Sequence, residues 1–456
     1  MVDFLRLFGQ FMRREVFGGK EAIGLSPDLG WIVGDIQTQP DGQRIFTMTS
    51  YFLRMFLLFS LFVGWAVSAS AEIKKPPLHL IPASACGECH KDLYQQWAGS
   101  MHAQSSALKD PIHKVLYNAQ VGDPTLEDVK HKVTGGYPAC LKCHAPNAAR
   151  DGKTKLDAME SYGDGVSCVS CHTMVSFNGV QGKEGEKMNM GTDAYTFSET
   201  HLQGPNGAFS GKKMVHSPGS AAGETAINSF PHQGNAKLFK TSDVCLGCHE
   251  KNNNPNGVPV CSTGPELVQS GNTVTCQSCH MPTVNGFTDH SMAGGHNPAM
   301  LKRGILVSLT GEKSTTGGKV SVKLKNLLPH NYPTGAPFRV VVLRVSALDA
   351  KGEVIWKNFD TNPMEQDSKA VLMLKLVDEN DQPTAPPNAK KIKEDSRLKP
   401  GEERQLDYDI PVEGVAKVRA ELSYSLLLPP IVKQFDAELP PEAKQPVLVS
   451  RTELNL

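Results

Sequence analysis

The stretch Thr275-Cys276-Gln277-Ser278-Cys279-His280-Met281-Pro282 decides the reading, because its Cys-x-x-Cys-His core recurs four more times. The other copies are Cys86-Gly87-Glu88-Cys89-His90, Cys140-Leu141-Lys142-Cys143-His144, Cys168-Val169-Ser170-Cys171-His172 and Cys245-Leu246-Gly247-Cys248-His249. This is the attachment pattern of c-type haem. Two thiols add across the two porphyrin vinyl groups, and the next residue is set under the iron as its proximal ligand. The sequence therefore predicts five covalently attached haems, carried by Cys86, Cys89, Cys140, Cys143, Cys168, Cys171, Cys245, Cys248, Cys276 and Cys279. Their proximal ligands are His90, His144, His172, His249 and His280.

Other uses of paired cysteines fit less well. A four-thiolate zinc site built from Cys140, Cys143, Cys168 and Cys171 does not need a histidine after each pair. A disulfide framework suits an exported chain, but the count of 11 cysteines is odd and the pairs are too regular. A thioredoxin-type site expects a βαβ setting, and none is visible. The eleventh cysteine, Cys261, reads as a buried thiol.

Outward from the motifs, residues 72–299 hold all five copies, roughly 45 residues per motif, too few for each to build its own core. Aromatic residues are only 7% of the 456-residue chain. The cofactors are thus expected to be the core of a mostly helical and irregular domain, with short helices around the motifs, as at 91–107, and loop over much of 177–240. Beyond about 300 the pattern changes to period two. Val320-Ser321-Val322-Lys323-Leu324 and Val418 to Leu426 alternate apolar and polar, and Val340 to Leu348 is rich in β-branched residues. Asp349 to Gly352 and Leu398 to Glu402 read as turns. These signals predict an antiparallel β-sandwich over 300–456.

The N-terminal region has another character. Arg54 precedes an apolar run from Met55 to Val67, and Ala69-Ser70-Ala71 is a small-residue cleavage site. This predicts a signal peptide over about 48–71, a mature chain from Glu72, and residues 1–47 as an extension upstream. The run is short for a bilayer span, so no membrane span is expected after cleavage, and the product is expected in the periplasm or outside the cell.

Ten histidines lie outside the motifs: His79, His102, His113, His131, His201, His216, His232, His290, His296 and His330. Five are needed if each iron takes two imidazoles. Here the sequence resembles the cytochrome c-554-type multihaem cytochromes, electron carriers of bacteria and archaea. The resemblance rests on Cys86 through Trp97 and Ser100 to His102, on Gly165-Val166-Ser167 before Cys168, and on Thr275 to Pro282 with His290 and His296 after it. It extends to His330-Asn331-Tyr332-Pro333-Thr334-Gly335, which resembles a segment of the β-domain attached to such chains. The resemblance implies His102 as a distal ligand. With the supply of histidines it gives the set His102, His216, His290, His296 and His330, with His232 the alternative to His216. A ligand at His330 would clamp the β-domain onto the haem array. The best-known relatives carry four haems, one fewer than here.

Lys plus Arg (47) balances Asp plus Glu (47), so there is no basic surplus for a nucleic-acid partner. Haem propionates would add about ten negative charges. Closed bis-His irons leave one-electron transfer as the chemistry, with redox proteins (other cytochromes or a quinol-linked donor) as partners. Two alternatives stand beside the carrier. One is an oxidoreductase with one open haem acting on a small nitrogen or sulfur species, although no motif carries lysine in place of the proximal histidine. The other is a self-assembling protomer of an extracellular filament.

Overall fold

A computed structural model describes residues 35–38, 40, 44–47, 76–181, 188–206, 232–314 and 316–456. The expected signal segment, 48–71, lies outside these described residues, as does His216. The chain divides into two compact units, Met1–Lys74 and Lys75–Leu456. The described part of the first is an antiparallel hairpin pairing Asp35–Thr38 with Arg44–Thr47. Everything below concerns the second.

The described residues from 76 to about 303 form short helices, two- to four-residue ladders and loops. The helix expected over 91–107 forms as two pieces, Lys91–Ala98 and Met101–Gln104. Gly99 ends the first and Ser100 caps the second, its hydroxyl accepting from the Ala103 amide, so serine's capping preference outcompetes helix continuation there. Asp110 caps Pro111–Gln120 in the same way, with proline at the first turn. Local apolar clusters are small. The largest here gathers Ala107, Tyr117, Leu141, Leu156 and Tyr162.

The change to strand follows the helix Pro298–Arg303. The strands of this region are β1 (Ile305–Ser314), β2 (Gly317–Asn326), β3 (Val340–Leu348), β4 (Val354–Lys357), β5 (Val371–Val377), β6 (Lys391–Asp395), β7 (Glu403–Ile410), β8 (Lys417–Ser425) and β9 (Val447–Asn455). One sheet has the order β1-β2-β7; the other runs β6-β5-β3-β8-β9 with β4 on β3, and all pairs are antiparallel. The inward residues Val320, Val322 and Leu324 of one sheet share a core with Leu343, Val345, Ala420 and Leu422 of the other. The expected sandwich is what forms, because alternation puts one face of each sheet in that core. It is also pinned to the motif-bearing region. Leu427, Leu439 and Ala443 bury Ile112 and Val115, and Val258 packs on Leu374, Leu376 and Ala389. Burial of each such side chain is worth roughly 1.5–3 kcal/mol. Among the described residues no helix is long and apolar enough to cross a membrane.

Candidate haem-binding site

Each motif sits on or at the end of a short helix, and one helical turn brings its histidine beneath its first cysteine. The His90 and His144 amides donate to the Cys86 and Cys140 carbonyls at 2.9 Å, and Cys168–His172, Asp243–His249 and Cys276–His280 are helices throughout. Their anchors are specific. Ser167 and Ser170 form a capping box on the third motif, and the fully buried Asn147 donates to Ser167 Oγ at 2.9 Å while accepting from Ser170 Oγ at 3.1 Å. Tyr195 holds the fourth, its hydroxyl donating to the Asp243 and Val244 carbonyls and accepting from the Gly247 amide at 2.7 Å. Gln277 of the fifth donates to the Phe239 and Thr241 carbonyls.

All five motif histidines and nine of the ten motif cysteines line one cavity of about 2420 Å³; Cys89 is not among its lining residues. Sites for a single drug-sized ligand reach roughly 1,000 Å³, so this space suits several large groups. Thiols of different motifs meet within it. Cys168 hydrogen-bonds Cys86, which holds Cys86 below its usual range, and the same kind of contact joins Cys143 to Cys248 and Cys245 to Cys276. Cys140 and Cys143 are thus not clustered with Cys168 and Cys171 as a zinc site would need.

Six imidazoles share one orientation, while His102 places Nδ1 on Met292 Sδ at 2.7 Å. His113, His144, His172, His280, His290 and His330 each place Nδ1 on a backbone carbonyl, those of Ser105 (for both His113 and His144), Gln203, Ala293, Thr288 and Asn331. A carbonyl only accepts, so Nδ1 carries the proton and Nε2 keeps a lone pair, the arrangement typical of metal-ligating histidine. Burial, aided by His249, His144 and His280, lowers His102 to about 3. Burial likewise lowers His172 and His249 to about 4. These three rings are neutral at physiological pH, the form that binds a metal.

Three pairs face each other. His102 and His249 have ring centres 6.2 Å apart, His172 and His290 6.4 Å, and His280 and His330 6.5 Å. A metal–imidazole bond is about 2 Å and the ring centre lies about 1.2 Å behind the nitrogen, so two imidazoles across one metal are about 6.4 Å apart. The donor set and its spacing fit haem iron held by two histidines.

The comparisons point to the same cofactor class. The family model for cytochrome c554 and c-prime matches residues 85–173. The crystal structure of a penta-heme cytochrome c552 from Thermochromatium tepidum is 46% identical, with a TM-score of 0.78, over 83% of this chain and 100% of that one. The chain belongs to the multihaem c-type cytochromes. As such it is an electron-transfer protein with covalently bound haem c. A structural-genomics target overlaps at 10% identity and a TM-score of 0.16, which carries no argument. No curated protein matches the chain.

Within this cytochrome the expected distal residues fall differently. His102, His290 and His330 stand opposite motif histidines. His296 also lines the cavity, where its Nε2 accepts from the Arg339 guanidinium at 3.1 Å. His232 lines the cavity with Nδ1 buried and unpartnered. His79 instead binds Asp151 at 2.7 Å, and His201 binds Thr200. Cys261 is a half-buried thiol in the cavity lining, pushed up to about 12 by burial. His113, which the sequence did not single out among the ten, is buried, with Nε2 unpartnered in the cavity and its ring 4.2 Å from that of His144. That spacing is too short for a metal between the two rings, so they lie side by side. A signal existed: Ile112, Val115 and Leu116 put the apolar face of Pro111–Gln120 around it.

Proposed function

We propose that the protein is an exported electron carrier with five haems, each closed on both faces by histidine. The observation that carries this reading is the three facing imidazole pairs in one cavity shared by all five motifs. On it, His249 and His102, His172 and His290, and His280 and His330 each hold one iron, while His90 and His144 are proximal to the other two. The second ligands of those two come from the remaining candidates, His113, His131, His216, His232 and His296. The bound haem supplies a one-electron couple. The chain's residues orient the imidazoles, keep them neutral, exclude small molecules from the axial positions and set potential through burial. Contacts between cysteines of motifs one and three, two and four, and four and five, with Cys171 of motif three close enough to act on Cys245 of motif four, support close haem edges and so a conducting chain. The division into 72–299 and 300–456, a periplasmic or extracellular location and redox-protein partners belong to the same reading.

The test is absorbance of the matured, reduced protein before and after carbon monoxide. An unchanged Soret band is expected. A shift in part of it would show an open iron and move the reading to the oxidoreductase. The intact mass should correspond to a chain starting at Glu72 with five haems; a retained 48–71 segment would overturn export by cleavage.

A further inference from the structure

The helix Thr263–Gln269 lies between the fourth and fifth motifs and carries a buried carboxylate, Glu266. Four donors hold it. Ser262 Oγ at 3.0 Å and Arg397 Nη1 at 2.8 Å bind Oε1, and the Asn331 amide at 3.1 Å and Thr334 Oγ1 bind Oε2. Arg397 is buried too, and its Nε and Nη2 fork onto Asp395 at 2.8 Å each. One ion pair therefore joins the haem-bearing region to the β-sandwich.

Its reach goes one bond further. The residue whose amide Glu266 accepts, Asn331, is also the residue whose carbonyl accepts Nδ1–H of His330 at 3.0 Å. Asn326 fixes the other side, donating to the His330 carbonyl at 2.8 Å and to those of Leu398 and Lys399. We propose that Glu266, held by Arg397, is a positioning residue for His330: it fixes the Asn331 backbone that sets the tautomer and tilt of the imidazole facing His280. This rests on reading His330 as the ligand opposite His280. It implies that docking of the β-sandwich and closure of the fifth iron are one event, because the same buried pair secures both. A carboxylate acting on a ligating imidazole through an intervening group is a known way of tuning a metal site; here the intervening group is a backbone residue.

The experiment uses the holoprotein and four variants. His330→Gly should make one haem of the five high-spin and reactive to carbon monoxide, with added imidazole restoring the low-spin spectrum. Glu266→Gln should raise the rate of carbon monoxide binding at that haem at least tenfold over wild type and shift its potential. Thr334→Val and Ser262→Ala, each removing one hydroxyl donor from the same carboxylate, should do so to a smaller degree and keep the test open if Glu266→Gln does not fold. If His330→Gly responds while the other three bind carbon monoxide at the wild-type rate, the positioning role is overturned and the pair is merely structural. If His330→Gly is itself silent, the ligand reading falls and the inference with it.

Discussion

Tyr195→Phe isolates what holds the fourth motif in place. Tyr195 is 6% exposed, and its hydroxyl accepts from the buried Gly247 amide and donates to the carbonyls of Asp243 and Val244 at 3.1 and 3.0 Å. The helix under it, Asp243–His249, has only seven residues and little stability of its own. Phenylalanine keeps the ring packed but leaves buried polar groups with one partner fewer, at a cost of about 1–3 kcal/mol. Taking about 2 kcal/mol, local opening of 243–249 should become about 30-fold more frequent. Hydrogen exchange of the holoprotein, read by mass spectrometry on peptides spanning 243–249, measures this directly. Gly247→Ala attacks the same contact from the other side, since a Cβ at 247 would overlap the Tyr195 ring, and it should also deprotect the segment. Protection within twofold of wild type in Tyr195→Phe would refute the argument that this hydroxyl secures the motif.

Two further outcomes follow from the site. His102→Gly and His290→Gly should each create one carbon-monoxide-reactive, high-spin haem that added imidazole returns to low spin; if both stay silent, the facing rings are not ligand pairs. Burial, opposed by the Ala83 amide and Lys109, raises the Asp164 carboxyl above its ordinary 3.8. Because its folded value exceeds its unfolded one, its stabilising contribution is full below about pH 4 and is lost as pH rises through the folded value. Asp164→Asn, which keeps an acceptor for the Ala83 amide, should therefore flatten the fall in denaturation midpoint above pH 4, and an unaltered slope would count against it.

What was legible in the sequence was what short spacing encodes. The Cys-x-x-Cys-His turn is local chemistry, and alternation such as Val320, Val322, Leu324 declares a sandwich face without knowledge of its partner. Distal ligation is different, because it depends on which segments the fold brings together. His296 lies six residues after His290 in a stretch that resembles the family, yet Arg339, from the chain that enters β3, takes its Nε2. His113 sits on a helix between motifs, and it meets His144 only because both rings reach the Ser105 carbonyl, 39 residues before His144. The Glu266–Arg397 pair joins residues 131 apart, beyond any periodic signal.

The cavity itself makes the last prediction. Among the described residues from 76 to 303 the apolar clusters are small and stand around a half-open space of about 2420 Å³, more than a chain packs around unaided. On the proposed reading the haem-bearing region owes its packing to what is attached, whereas the sandwich has a continuous core of its own in Val322, Leu343, Leu372 and Leu422. Replacing all ten motif cysteines with alanine should leave 76–303 open to proteolysis and exchange while β1 to β9 keep much of their protection. The edge near Ile112 and Val115 should weaken, because those side chains lose the helix that presents them. If 76–303 in the alanine variant is as protected as in the holoprotein, the polypeptide rather than the haem is the core, and the account of the low aromatic content fails with it.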